Sequence, residues 1–154
     1  MSTQIDARLA ELGLTLPAAP MPAANYVPYV ISGNQIFISG QISANADGLI
    51  TGVVGRDLTT EQGTDAAGTC ALSLLAQAKA ACDGDLGRIA RLVKLTGFVN
   101  STAEFTDQPK VINGASDLFV EIMGDAGRHA RSAVSAVSLP LGVAVEIEAI
   151  FELK

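Results

Sequence analysis

The chain has no tryptophan and only 5% aromatic residues, while it carries 15 glycines. A core without large rings must be built from small and aliphatic side chains packed closely. Histidine occurs once, at position 129, and the two cysteines, Cys70 and Cys82, lie twelve residues apart. With no closely spaced Cys and His set, a metal site of that kind is not expected. If the cysteines share one helix, about 18 Å separates them, far beyond disulfide reach. Both are expected to be reduced, as in a cytoplasmic protein. Positive charge is scarce too: ten Lys and Arg against sixteen Asp and Glu leave a net charge of -6. Nucleic-acid affinity rests on clustered cations, so no nucleic-acid partner is expected. No apolar run reaches the length of a membrane span, and Asp6, Arg8 and Glu11 interrupt any apolar segment of a signal peptide. A nucleophile elbow, a phosphate loop and a dinucleotide fingerprint are all missing.

What is present describes one globular domain. The 154 residues are 49% hydrophobic and 17% charged, enough to bury a core and far from the profile of disorder. Ile5, Leu9 and Leu12 stand at helical spacing, with Gly13 as a C-terminal cap. Pro17, Pro20 and Pro22 then enforce extended backbone. Residues 1–22 therefore read as an N-terminal helix and proline-rich extension, and residues 23–154 as the domain. Gly33-Asn34 marks a hairpin turn between two strand-like runs, the second ending at Ser39-Gly40-Gln41, where small residues let a ligand approach the backbone. Asn45 to Gly55, with three glycines, reads as a loop or a short irregular hairpin.

A long helix is predicted from Thr59 or Thr60 to Asp83-Gly84, with Ala67, Cys70, Ala71, Leu74, Leu75, Ala78 and Cys82 forming a narrow buried stripe. Both cysteines sit on that stripe as small buried hydrophobes. A strand over about 91–99 follows, then a helix over about 107–123 whose Val111, Ala115, Leu118, Phe119 and Ile122 form a second stripe. The order is ββαβαββ behind a short N-terminal helix. That predicts an α+β, two-layer domain: a mixed sheet with both long helices on one face, its other face bare unless an oligomer covers it.

The last two strands hold the candidate chemistry. Val143, Val145, Ile147, Ala149 and Phe151 alternate with polar positions, and Pro140 separates this run from a strand opened by Arg131. Arg131 and Glu146 are charges set in apolar strands, costly to bury unless paired or used. In a hairpin turning at Pro140-Leu141, Arg131 would face Ile150 and Glu146 would face Ser135, an offset of roughly 13 Å. The two could not meet within one hairpin, so Arg131 is expected to work with groups of a second subunit or to serve separately. Arg131 suits either bidentate capture of a carboxylate or a salt bridge to a Glu. Glu146 suits either a general base holding a water or a solvated strand face. Tyr29 and Asn113 are single polar groups in apolar settings, open to a structural or a site role. His129, beside Arg128 at a loop end, is expected to be exposed.

Val27-Pro28-Tyr29-Val30, Ile38-Ser39-Gly40-Gln41-Ile42, Asn113 with Phe119 six residues on, Ala130-Arg131-Ser132, Leu139-Pro140 and Val145-Glu146-Ile147-Glu148-Ala149 occur in one order and spacing. Together they resemble the Rid family of reactive intermediate deaminases, also called the YjgF or L-PSP endoribonuclease family, over residues 23–153. The resemblance implies a chorismate-mutase-like fold and a homotrimer with clefts between subunits. There, enamines and 2-imino acids would be hydrolysed to 2-keto acids and ammonia without metal or cofactor. By position it implies that Arg131 clamps the substrate carboxylate, that Glu146 orients the attacking water, and that Tyr29, Ser39, Gly40 and Asn113 line the pocket. This chain departs from the family pattern at Ala133, where many members carry Cys, at His129, where Pro is usual, and at Val137. A non-catalytic, small-carboxylate-binding or chaperone-like member of the same fold is the alternative reading.

Overall fold

The structure, a computed structural model, describes residues 3–21 and 24–154; Pro22, the last proline of the extended stretch, lies outside them. Helix α1 (Gln4–Glu11) starts at Thr3, whose hydroxyl accepts from the Asp6 amide at 3.1 Å while the Asp6 carboxylate accepts from the Thr3 amide at 3.0 Å. This reciprocal cap satisfies two amides that the first turn would leave bare. Gly13, at φ 69°, closes the helix in the left-handed region as predicted. Leu9 is buried, and Ile5 and Leu12 pack against the core beside it.

Strands β1 (Tyr29–Ser32) and β2 (Gln35–Ile42) form the predicted hairpin through Gly33. A two-residue-per-strand hairpin, β3 (Ala44–Asn45) and β4 (Gly48–Leu49), occupies the glycine-rich loop. Helix α2 (Thr60–Ala81) is capped by Thr59, and α3 (Gln108–Met123) opens with Pro109 in its first turn, where the missing amide is harmless. Between them runs β5 (Ile89–Asn100), and after α3 come β6 (Ala130–Ala136) and β7 (Val145–Leu153).

The sheet order is β1-β2-β7-β5-β6, and this corrects the expected C-terminal hairpin. Strand β6 runs parallel to β5, while β7 is antiparallel to both β2 and β5 and lies between them. The reason is burial. Every second residue of β7, Val145, Ile147, Ala149 and Phe151, is buried, and a strand of that kind belongs in the sheet centre. Strand β6, with no residue fully buried, suits an edge. Helix α3 is the crossover that parallel β5 and β6 require.

Both long helices cover the face carrying Ile36, Ile38, Leu92, Leu95 and the buried side of β7. The Phe119 and Phe151 rings meet edge to face at 5.9 Å and tie α3 to the central strand. The buried face of α2 is wider than the predicted stripe, taking in Gly63, Ser73 and Gln77 as well, because α3 lies along one side of it and the sheet along another. Cys70 and Cys82 are free and buried, and burial pushes the Cys70 thiol far up, which suits an inert core residue. The opposite sheet face is bare, leaving Val30, Phe37 and Val134 exposed at 53%, 40% and 45%. Among the described residues no helix is long and apolar enough to cross a membrane.

The two helices approach through glycine. A Cβ at Gly114 would collide with the Thr64 carbonyl oxygen, whereas one at Gly68 would meet only the Gly114 carbonyl at an ordinary 3.7 Å. Gly114→Ala is therefore expected to cost about 2–3 kcal/mol by forcing the helices apart, seen as a melting temperature lowered by roughly 5–10 °C. Gly68→Ala should raise it slightly, since alanine is the better helix former. Thermal unfolding of the two variants checks the contrast.

Candidate active site

Sheet register decides which candidate residues can meet. Arg131 pairs with Leu95, which pairs with Ala149. Glu146 pairs with Phe98, which pairs with Val134. The two rows are three residues apart, an odd number, so Arg131 and Glu146 point to opposite faces of the sheet. They also lie two strands apart, about 10 Å. The expectation that one chain cannot bring them together holds, for a reason of parity and strand order rather than the hairpin offset.

Arg131 points from the edge strand toward α3 and is half-buried there. Its Nη1 donates to Asn113 Oδ1 at 2.8 Å and to Ser116 Oγ at 3.1 Å. Asn113 and Ser116 are one helical turn apart, which puts both on the face of α3 that looks down on β6. Among the described residues no carboxylate stands within ion-pair distance of Arg131. Its charge is held by neutral groups and stays available.

His129, expected to be exposed, is half-buried instead. Its Nδ1 lies 2.6 Å from the Gly127 carbonyl and its Nε2 lies 2.9 Å from Ser116 Oγ. Burial first, and the nearby Arg131 charge second, push the imidazole below its usual pKa, toward the neutral form, against the opposing Gly127 hydrogen bond. Ser116 and His129 are the site residues that sequence reasoning missed. The available signals were spacing: Ser116 is three residues from Asn113 on a helix, and His129 is two from Arg131 along an extended segment.

The second group forms around the bulge in β2, where the pairing with β7 shifts between Ile38 and Gln41. Ser39 sits in the bulge, its hydroxyl donating to the Val27 carbonyl at 2.8 Å and its amide to the Pro28 carbonyl at 2.9 Å. Gly40 is the adjoining residue, and a Cβ there would stand 2.8 Å from Glu146 Oε1. The bare Gly40 Cα makes room for the carboxylate. Glu146 is half-buried and has no ion pair among the described residues. Burial, with a smaller push from Glu148, raises its pKa above the ordinary carboxylate range. Tyr29 lies on β1 beside Ile38, partly buried against the core on the helix-facing side. It is four strands, about 19 Å, from Arg131.

A cleft of about 510 Å³ opens over Gly40 and Glu146. The N-terminal segment walls it with Pro20, Met21 and Ala24, and Leu49 and Leu141 close other sides. Buried Gln77 of α2 anchors that wall, donating to the Pro20 carbonyl at 2.6 Å. A second cavity of similar volume between α1 and the start of β5 contains none of the candidate residues. Among the described residues no three His, Cys, Asp or Glu side chains cluster as a metal set would. The chain thus carries two half-sites, a guanidinium at one sheet edge and a desolvated carboxylate under a cleft on the other side.

Comparison with known proteins adds to this geometry. The sequence model of the family described as YjgF/chorismate mutase-like matches residues 6–153. Protein TCP17 of Trypanosoma cruzi is 50% identical over 154 residues, covering 99% of this chain and 96% of its own. A 2-iminobutanoate/2-iminopropanoate deaminase of Dermatophagoides farinae is 27% identical over 139 residues, covering 89% and 92%. The crystal structure of protein Atu1372 from Agrobacterium tumefaciens superposes with a TM-score of 0.92 at 50% identity, covering 99% of this chain and 94% of that one.

The raised pKa of Glu146 has a stability consequence. A carboxylate whose folded pKa lies above its unfolded value stabilises most below the unfolded pKa, and that contribution is lost as pH rises through the folded one. Glu146→Gln removes the desolvated charge. It should raise the melting temperature at pH 8 by on the order of 1–2 °C, with the gain vanishing below about pH 4.5. Melting curves at both pH values check it; a lower melting temperature at pH 8 would overturn the expectation and mean that Glu146 has a cationic partner in solution.

Proposed function

The chain belongs to the YjgF/chorismate mutase-like family, and from that premise we propose that it hydrolyses reactive 2-imino acids and their enamine tautomers to 2-keto acids and ammonia. The reaction takes place in clefts completed between subunits of a homotrimer. The observation that carries the reading is Arg131: a guanidinium fixed by Asn113, facing no carboxylate among the described residues, at a sheet edge where a second subunit can reach it. Such a group captures a substrate carboxylate in two parallel hydrogen bonds. The likeness to a 2-iminobutanoate/2-iminopropanoate deaminase supports the substrate class.

The chemistry asks little of the protein, because a protonated imine carbon is already electrophilic. Glu146 of the neighbouring subunit orients a water and takes its proton as the oxygen attacks that carbon, and the C=N π electrons move to nitrogen. The proton passes on to the amine, the C–N bond breaks, and ammonia leaves as the hydroxyl proton returns to Glu146 and the carbonyl forms. Placing water, carboxylate and imine together supplies most of the acceleration. The raised pKa of Glu146 suits a group that takes up and returns a proton. The bare sheet face and the two separated half-sites support assembly, since neither half is a site alone.

One observation favours the alternative, a non-catalytic member that binds small carboxylates or acts as a chaperone. Glu146 faces away from Arg131 within the chain. An assay separates the two readings. 2-Iminobutanoate, released by an amino-acid oxidase, is expected to yield 2-oxobutanoate faster with the wild-type protein than in buffer. Arg131→Ala should lower kcat/KM by about 100-fold or more, and Glu146→Gln should lower kcat by about 10²- to 10⁴-fold. Both should keep the oligomer, measured by sedimentation. Binding of 2-oxobutanoate without any acceleration over buffer would reject the enzyme reading in favour of the alternative.

A further inference from the structure

Arg131 is not simply present at the edge of the sheet; only part of its guanidinium is free. The group carries five N–H donors, two on Nη1, two on Nη2 and one on Nε. Both Nη1 hydrogens are committed, one to Asn113 Oδ1 at 2.8 Å and one to Ser116 Oγ at 3.1 Å. A carboxylate needs two parallel N–H groups on one edge. The end-on edge, Nη1 with Nη2, has lost its Nη1 donor, while the side edge, Nε with Nη2, keeps both of its own.

The Ser116 contact depends on which way the hydroxyl points. A carbonyl oxygen only accepts, so the 2.6 Å approach of His129 Nδ1 to the Gly127 carbonyl places the ring hydrogen on Nδ1. In the neutral ring, which burial favours, Nε2 is then an acceptor. Ser116 donates its hydroxyl hydrogen to Nε2 across 2.9 Å and turns its lone pairs toward Arg131. The chain of donors runs from Arg131 through Ser116 to His129, whose own hydrogen goes to Gly127, so each donor meets an acceptor.

We infer that Ser116 and His129 are positioning residues that commit the Arg131 guanidinium to a single carboxylate-binding edge, the Nε and Nη2 side. The inference rests on the reading of Arg131 as the carboxylate clamp. His129 stands two residues before Arg131 and reaches it only through the hydroxyl at position 116. Neither residue touches the substrate. Each acts through Arg131, and their effect belongs to binding more than to turnover.

The test measures dissociation of 2-oxobutanoate, with steady-state deamination, for the wild-type protein and the variants Arg131→Ala, Ser116→Ala, Ser116→Thr, His129→Phe and the Ser116→Ala/His129→Phe double. Ser116→Ala should weaken binding and raise KM by about 3- to 10-fold, the worth of one lost hydrogen bond, with kcat within about twofold. Ser116→Thr keeps the hydroxyl and should restore wild-type binding. His129→Phe, with a ring but no acceptor, should weaken binding less than Ser116→Ala, and the double should be no worse than Ser116→Ala because both act through one chain. His129 is the only histidine, so its imidazole NMR signal is unambiguous; 2-oxobutanoate should shift it in the wild type and leave it nearly unmoved in Ser116→Ala. The inference is overturned if Ser116→Ala binds like the wild type, or if the two single losses multiply in the double. If Arg131→Ala abolishes binding in that case, the clamp reading survives alone; if Arg131→Ala binds normally, the clamp reading falls as well.

Discussion

The fold depends on one strand being where chain order would not put it. Strand β7, the last of the chain, lies between β2 and β5, and its buried residues Val145, Ile147, Ala149 and Phe151 form the floor on which α2 rests and which α3 reaches through the Phe119–Phe151 contact. With β7 central and antiparallel, β2, β5 and β6 run parallel to one another, and the crossovers through α2 and α3 fall on the same side. Everything polar that matters is set by this arrangement. It sends β6 to the edge with Arg131 and fixes Glu146, by alternation, on the uncovered face.

Local structure was readable where the signal is local. The caps at Gly13 and Thr59, the stripe on α2 and the turn at Gly33 each follow from a few neighbouring residues whose hydrogen bonds or periodicity leave one outcome. Strand pairing is different. Pro140 between two strand-like runs imitates a hairpin, and nothing near Leu139 or Leu141 reports that β5, forty residues earlier, will take the place beside β7. The environment of His129 failed for the opposite reason: its neighbour Arg128 suggested solvent, while its partners, Gly127 and Ser116, depend on how the end of α3 meets β6. The short motifs point to Tyr29, Ser39, Gly40, Asn113, Arg131 and Glu146 together, and only register reveals that Asn113 with Arg131 and Ser39 and Gly40 with Glu146 form two groups, with Tyr29 in neither.

That division joins two features that look unrelated. A sheet with Val30, Phe37 and Val134 exposed on one face is an incomplete layer in water. A guanidinium without a carboxylate and a carboxylate without a cation are incomplete in the same sense, each carrying desolvation without its counterpart. Burial of the bare face against other copies of the chain would address the first, and pairing of half-sites across subunits the second. In such an assembly the energy of association and the geometry of the site would share one interface.

The hydrogen bond from Gln77 to the Pro20 carbonyl has a practical side. Gln77 is 1% exposed, and its remaining contact on that nitrogen, to Gln41, is a long 3.4 Å. A chain trimmed to begin after the proline stretch would leave a buried amide short of an acceptor, a defect worth about 1–3 kcal/mol. The same cut would remove one wall of the cleft over Glu146. For expression and labelling, then, the stretch around Pro20 is not spare sequence from which residues can be removed at will.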